Sequence, residues 1–199
     1  MTPTVRVLVF GSLQLEVDVD EGLIQRCQAF GRALVAQDWS MLLTGGSRGS
    51  GSGSVEFHVA SAAAKALPDA AAQAARIMTL LPEEASPNTF RLGTVACLPP
   101  GDVANRRRHL VNLANVIVTF GGGPGAADLI ALALHTGRPV LPLGISGGAS
   151  RAIWQQEATA KRLRQALNGA LDDELIAALA YADLTTEALL EACRRIGSP

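Results

Sequence analysis

Apolar positions along the 199-residue chain follow two alternating rhythms. VRVLVF (5–10) is a short β-rich apolar run that stops at Gly11-Ser12, and its length and terminating turn predict a buried strand. From 20 to 37 the apolar set Leu23, Ile24, Cys27, Phe30, Leu34 and Val35 recurs at helical spacing behind Asp20 and Glu21. That pattern predicts an amphipathic helix with its acids in the first turn, where the helix dipole favours them. The alternation continues with a strand over WSMLLT (39–44), a helix over 54–67, and strands over 76–81 and 93–98. A basic helix over 105–114, the strand NVIVTF (115–120), a helix over 126–135 and a strand over 140–143 follow. A helix then runs through Trp154 to about residue 167, and the remaining C-terminal residues predict two short helices.

Strands and helices in this order predict an α/β fold: a single Rossmann-like domain, mostly parallel sheet, with helices on both faces and a helical C-terminus. No linker separates two domains; the core is expected over about 5–155 and the C-terminal helices over about 150–196. Composition narrows the partners. With 17 Lys+Arg against 18 Asp+Glu and only 4% aromatics, the chain lacks the positive field and the stacking platforms of a nucleic-acid binder. Cys27, Cys97 and Cys193 are scattered without a CxxC pair, which fits a reducing compartment. His58, His109 and His135 have no metal-ligand spacing, and no apolar run approaches the ~18 residues of a membrane span. A cytoplasmic protein with no membrane association and no required metal or cofactor is expected.

Candidate chemistry lies in four glycine-bearing turns that follow strands: Gly11-Ser12, Gly45-Gly46-Ser47-Arg48, Gly121-Gly122-Gly123-Pro124-Gly125, and Gly144-Ile145-Ser146-Gly147-Gly148. In a parallel sheet, ligands bind outside the carboxyl ends of the strands. Glycine lets the backbone approach a ligand there, and the following helix offers unpaired N–H groups suited to phosphate. Each turn also reads simply as a tight strand–helix connection. No Lys-Ser or Lys-Thr follows the glycines of the second turn, which argues against a triphosphate-binding loop. Arg106, Arg107 and Arg108 splay around one helix, so that one can face the crevice while the others are solvated. Arg48 is a further phosphate candidate. Asp128 either complements the dipole of its own helix or accepts hydrogen bonds from a ribose diol. Trp154 is a core anchor or a pocket wall for a base, and His58 and His135 read as packing residues.

The series VLVFGS, MLLTGGSRGSG, NVIVTFGGGPGAAD and RPVLPLGISGGASRAIW resembles the SLOG superfamily over roughly residues 5–155. That group holds the cytokinin-activating phosphoribohydrolases and the Smf/DprA proteins. The last segment resembles most closely the STALD branch found beside sirtuin-like and TIR-like antiphage effectors. That resemblance implies a nucleotide-sensing domain that takes a cyclic ADP-ribose or other ADP-ribose-type adenine nucleotide, forms a dimer or tetramer, and regulates an effector domain or protein. On it, Gly11, Ser12, Gly45, Gly46 and Ser47 frame one part of the ligand, and Arg48 with Arg106 or Arg107 neutralises phosphates. Gly122, Gly123, Gly125 and Asp128 meet phosphate and ribose, and Gly144, Gly147 and Gly148 close over the rest. The alternative is a nucleoside 5′-monophosphate phosphoribohydrolase using Arg106 and Asp128. The hydrolases carry a PGGxGTxxE signature. Laid on this chain without gaps, it puts its glycine pair on Gly122-Gly123, its threonine on Ala126 and its glutamate on Leu129, with Asp128 one residue early.

Overall fold

A computed structural model describes residues 5–13, 21–37, 39–44, 54–85, 89–182 and 184–197. Six strands form one sheet: β1 (Arg6–Ser12), β2 (Ser40–Thr44), β3 (Ile77–Leu81), β4 (Thr94–Cys97), β5 (Val116–Gly121) and β6 (Val140–Leu143). Their order is β4-β3-β2-β1-β5-β6, and every neighbouring pair is parallel. Parallel strands covered on both faces need continuous apolar runs, and β5 and β6 are buried at every position. The chain steps outward from β1 to β4 and then crosses back to place β5 on the other side of β1. That reversal opens a crevice at the carboxyl ends of β1 and β5. Register places Gly11 beside Phe120 and Ser12 beside Gly121 there.

Helices flank the sheet: α1 (Glu21–Ala36), α2 (Val55–Ala66), α3 (Ala70–Arg76), α4 (Val103–Leu113), α5 (Pro124–His135), α6 (Gly148–Gln155), α7 (Glu157–Leu167), α8 (Asp173–Tyr181) and α9 (Thr186–Gly197). Short polar side chains set the starts of several of them. The Ser54 hydroxyl accepts the Phe57 N–H at 3.3 Å, and Asp102 and Asp172 accept the Asn105 and Leu175 N–H groups at 2.7 and 2.8 Å, as N-caps do. Small residues bring α1 and α2 together: a Cβ on Gly31 would stand 2.1 Å from the Val59 carbonyl oxygen.

The sheet and most helices follow the hydrophobic rhythm, with three departures. Helix α3 occupies Ala70–Arg76, where the sequence has alanines without apolar periodicity; Asp69 caps it through the Ala72 N–H at 2.8 Å. The helix expected through Trp154 to about 167 is two helices, broken at Gln156, whose backbone is extended (φ −86°, ψ 103°). His135 is exposed at the end of α5, so it is no packing residue. Among the described residues, no helix is long and apolar enough to cross a membrane.

Candidate functional site

The turn after β5 is held almost entirely by its neighbours. The Gly121 N–H donates to the Ser146 hydroxyl at 2.6 Å, and its carbonyl accepts from the Ser150 hydroxyl at 2.9 Å. The Gly122 N–H donates to the Ser12 carbonyl at 3.1 Å, and the Gly122 carbonyl accepts the Ala149 N–H at 2.7 Å. Ser150 is fully buried and also bonds the Thr119 hydroxyl at 2.9 Å. The GISGGAS segment is therefore a clamp on the β5 turn. Its own glycine, Gly148, sits at φ +51°, and a Cβ there would lie 2.4 Å from the Gly122 carbonyl oxygen. Gly144 similarly packs on α8, with a Cβ position 1.9 Å from the Ala180 carbonyl oxygen. Arg151 pins this segment by donating to the Gly144 carbonyl at 3.2 Å.

With Gly121 and Gly122 occupied, the polar groups left over belong to Gly123 and Gly125. Neither N–H makes a hydrogen bond among the described residues. Both stand at the start of α5, where Pro124 removes a competing donor and the helix dipole is positive. A Cβ on Gly123 would meet nothing within 4 Å, so the space beside this residue is open. The Cβ position of Gly147 is likewise open, though its own N–H donates to the Gly144 carbonyl at 3.1 Å.

Of the three consecutive arginines, Arg107 is the one beside this turn. Its guanidinium lies 3.1 Å from the Cβ position of Gly125 and donates to an Asp128 carboxylate oxygen at 2.8 Å. Its side chain is mostly covered while that of Asp128 is open, so an incoming anion meets Arg107 partly desolvated and only one competing carboxylate. Arg106 is drawn away to Glu84, 2.7 Å distant in the loop after β3, and Arg108 is exposed. Gly11 and Ser12 line the β1 side of the same crevice. Gly45, Gly46, Ser47 and Arg48 lie outside the described residues. Trp154 does not wall the crevice: it is buried, donates its indole N–H to the Pro142 carbonyl at 2.8 Å, and has Arg164 over its ring.

Glu56 is the residue that sequence reasoning missed. It stands in the first turn of α2 and is buried at 4% exposure. One carboxylate oxygen accepts the Gly11 N–H at 3.2 Å and the Thr44 hydroxyl at 3.4 Å; the other accepts the Ser54 hydroxyl at 2.8 Å. Burial pushes its pKa up to about 7, against those hydrogen bonds, which pull it down. The available signal was a lone acid in the apolar stretch VEFHVASAAA directly behind a glycine-rich turn; a first-turn acid is so ordinary at a helix start that it draws no notice. No group of three or more His, Cys, Asp or Glu suited to a metal occurs among the described residues.

A family model described as LDcluster4, the SLOG cluster4 family, matches residues 4–171. The chain belongs to that family. Solved structures agree on the fold across nearly the whole SLOG cluster4 chain. TM1055, a structural genomics target, superimposes with a TM-score of 0.64 at 24% identity, covering 96% of this chain and 99% of its own. A molybdenum cofactor carrier protein from Chlamydomonas reinhardtii gives 0.58 at 20% identity, covering 97% of both chains. A molybdenum cofactor binding protein from the phototrophic bacterium Rippkaea orientalis gives 0.59 at 18%, covering 98% of both. None of the curated proteins compared with the chain matches it. The SLOG assignment expected from the glycine turns holds, and the fold is of the nucleotide-binding SLOG type; the likenesses carry nothing specific to the STALD branch.

Proposed function

We infer that this SLOG cluster4 protein binds a nucleoside 5′-phosphate at the β1/β5 crevice, with the phosphate on the Gly123 and Gly125 N–H groups and Arg107. The observation that supports this is the pair of unbonded amides at the start of α5 beside a partly covered arginine. Backbone donors, a helix dipole and a bidentate guanidinium together suit a phosphate. Asp128 takes the ribose hydroxyls once the phosphate has displaced it from Arg107.

N-glycosidic hydrolysis of that monophosphate is the second reading. The family match and the SLOG likenesses favour it over cyclic ADP-ribose sensing, and the Arg107–Asp128 pair supplies an acid and a cation beside the turn. Against it stands Leu129, at the position of the signature's glutamate: it is fully buried in the core, so α5 sends no carboxylate from that position to an oxocarbenium-like transition state. A regulated effector belongs to the sensing reading alone, whereas a homo-oligomer is expected on either reading.

Calorimetric titration with adenosine monophosphate, ADP-ribose, cyclic ADP-ribose isomers and NAD, each mixture then separated by chromatography, tests all three. The molybdenum cofactor, for which the neighbours above are named, joins as a further titrant. The expected result is binding of the monophosphate. Free adenine in the mixture establishes the hydrolase; an intact cyclic ligand bound far more tightly than the monophosphate establishes the sensor. Arg107→Ala is expected to weaken monophosphate binding ~10- to 100-fold, the scale of a lost charge-assisted hydrogen bond. Gly123→Arg is expected to abolish binding while melting within a few degrees of wild type, because its site is open. Wild-type affinity in both variants would remove the phosphate from this turn.

A further inference from the structure

Glu56 has no part in the phosphate contacts, yet it is the only buried charged side chain among the described residues. Its carboxyl ties together the ends of β1 and β2 and the start of α2 through Gly11, Thr44 and Ser54. Gly11 in turn touches the β5 turn: its Cα lies 3.8 Å from the Cβ position of Gly122. A charge on Glu56 therefore sits one hydrogen bond behind the crevice. We propose that Glu56 is a positioning residue whose carboxyl takes up a proton when an anion binds at the Gly123–Gly125 turn.

The surroundings favour such a coupling. β1 presents only the Gly11 N–H to the carboxyl, and β2 only the Thr44 hydroxyl. From α1 the Cys27 thiol faces it, pushed up to about 12 by burial first and by Glu56 second. Burial and the hydrogen bonds from its own backbone, Ser54, Gly11 and Thr44 set the charge state of Glu56, and an anion arriving on Arg107 adds a like charge to that balance. The proton comes from solvent; on the oxygen nearest Ser54 it reverses the 2.8 Å hydrogen bond, the carboxyl donating to the Ser54 oxygen while the Ser54 hydroxyl proton rotates away. The Gly11 N–H keeps its bond to the other oxygen. The frame of the crevice thus survives protonation while its negative charge disappears. A like charge brought near a buried carboxyl raises its pKa by about one unit or more.

This inference rests on the phosphate reading above, and one experiment separates the two. The Gly11, Gly123 and Gly125 amide resonances of the full chain are followed from pH 5.5 to 8.5, with and without sodium sulfate at constant ionic strength. Sulfate is a dianion that does not titrate in this range. The expected result is a Gly11 transition whose midpoint sulfate moves up by about one pH unit, while Gly123 and Gly125 shift with sulfate. Glu56→Gln keeps an acceptor for the Gly11 N–H and is expected to lose the transition entirely. No Gly11 transition, or one that survives in Glu56→Gln, overturns the proposal. So does a midpoint that sulfate leaves in place while Gly123 and Gly125 respond. If sulfate leaves Gly123 and Gly125 unmoved, the phosphate reading falls, and the coupling falls with it.

Discussion

Between pH 4.5 and 8.5, Glu56→Gln is expected to keep a level contribution to stability where the wild-type chain loses about 3 kcal/mol. The carboxyl titrates near 4.5 when unfolded and is pushed to about 7 by burial in the fold. The folded state therefore holds this proton more tightly than the unfolded state. Its stabilisation is complete below pH 4.5, declines as pH rises toward 7, and is gone above it. A rise of roughly 2.5 units corresponds to about 3 kcal/mol at 1.36 kcal/mol per unit. Urea denaturation of both chains at intervals of pH gives the comparison. What matters is the difference in slope, since the amide itself adds a constant offset. Parallel profiles would mean that Glu56 is as well solvated as a surface acid.

Gly11→Ala is expected to cost about 3 kcal/mol or more, at the upper end of overpacking penalties. The new methyl would stand 2.0 Å from the Phe120 carbonyl oxygen, and φ is +154°, where L-residues are strained. Neither neighbour can give way: Phe120 is a buried strand residue, and Gly11 is held in register beside it. Gly123→Ala is the matched control. Its φ is −103° and its Cβ position is open, so its stability should lie within about 0.5 kcal/mol of wild type, as for a surface substitution. Equal denaturation midpoints for the two variants would show that the β1–β5 contact adjusts freely.

Much of this architecture is legible in the residues. Runs such as VRVLVF and NVIVTF are too short and too uniformly apolar for surface helices, and each ends in glycine, so strands and crevice-facing turns follow from them. The family follows from the order of those turns. What each glycine does is not legible. Gly122, Gly123 and Gly125 are indistinguishable as letters, yet the Gly122 N–H is taken by Ser12 and its carbonyl by Ala149, while the N–H groups of the other two make no hydrogen bond among the described residues. That difference arises from Ser12 at the end of β1 and from Ala149 in the segment after β6, both distant in sequence, and no local pattern encodes it. The arginine run has the same character: which of three consecutive side chains reaches α5 depends on the angle between two helices. Glu56 was hidden because burial of an acid is decided by its neighbours across the sheet edge. Helix α3 was hidden because alanine carries helix propensity without a periodic apolar face.

The end of α9 stands away from the crevice. Gly197 packs against Val5 and Val116, the residues at the amino-terminal ends of β1 and β5, whereas the crevice opens at their carboxyl ends. Strand β1 spans seven residues, about 20 Å at the usual rise. Residues 5 and 197 thus lie about a strand length from the ligand turns. By the same geometry, the shortest route from the crevice to that end of the fold runs through strands β1 and β5 and helix α9.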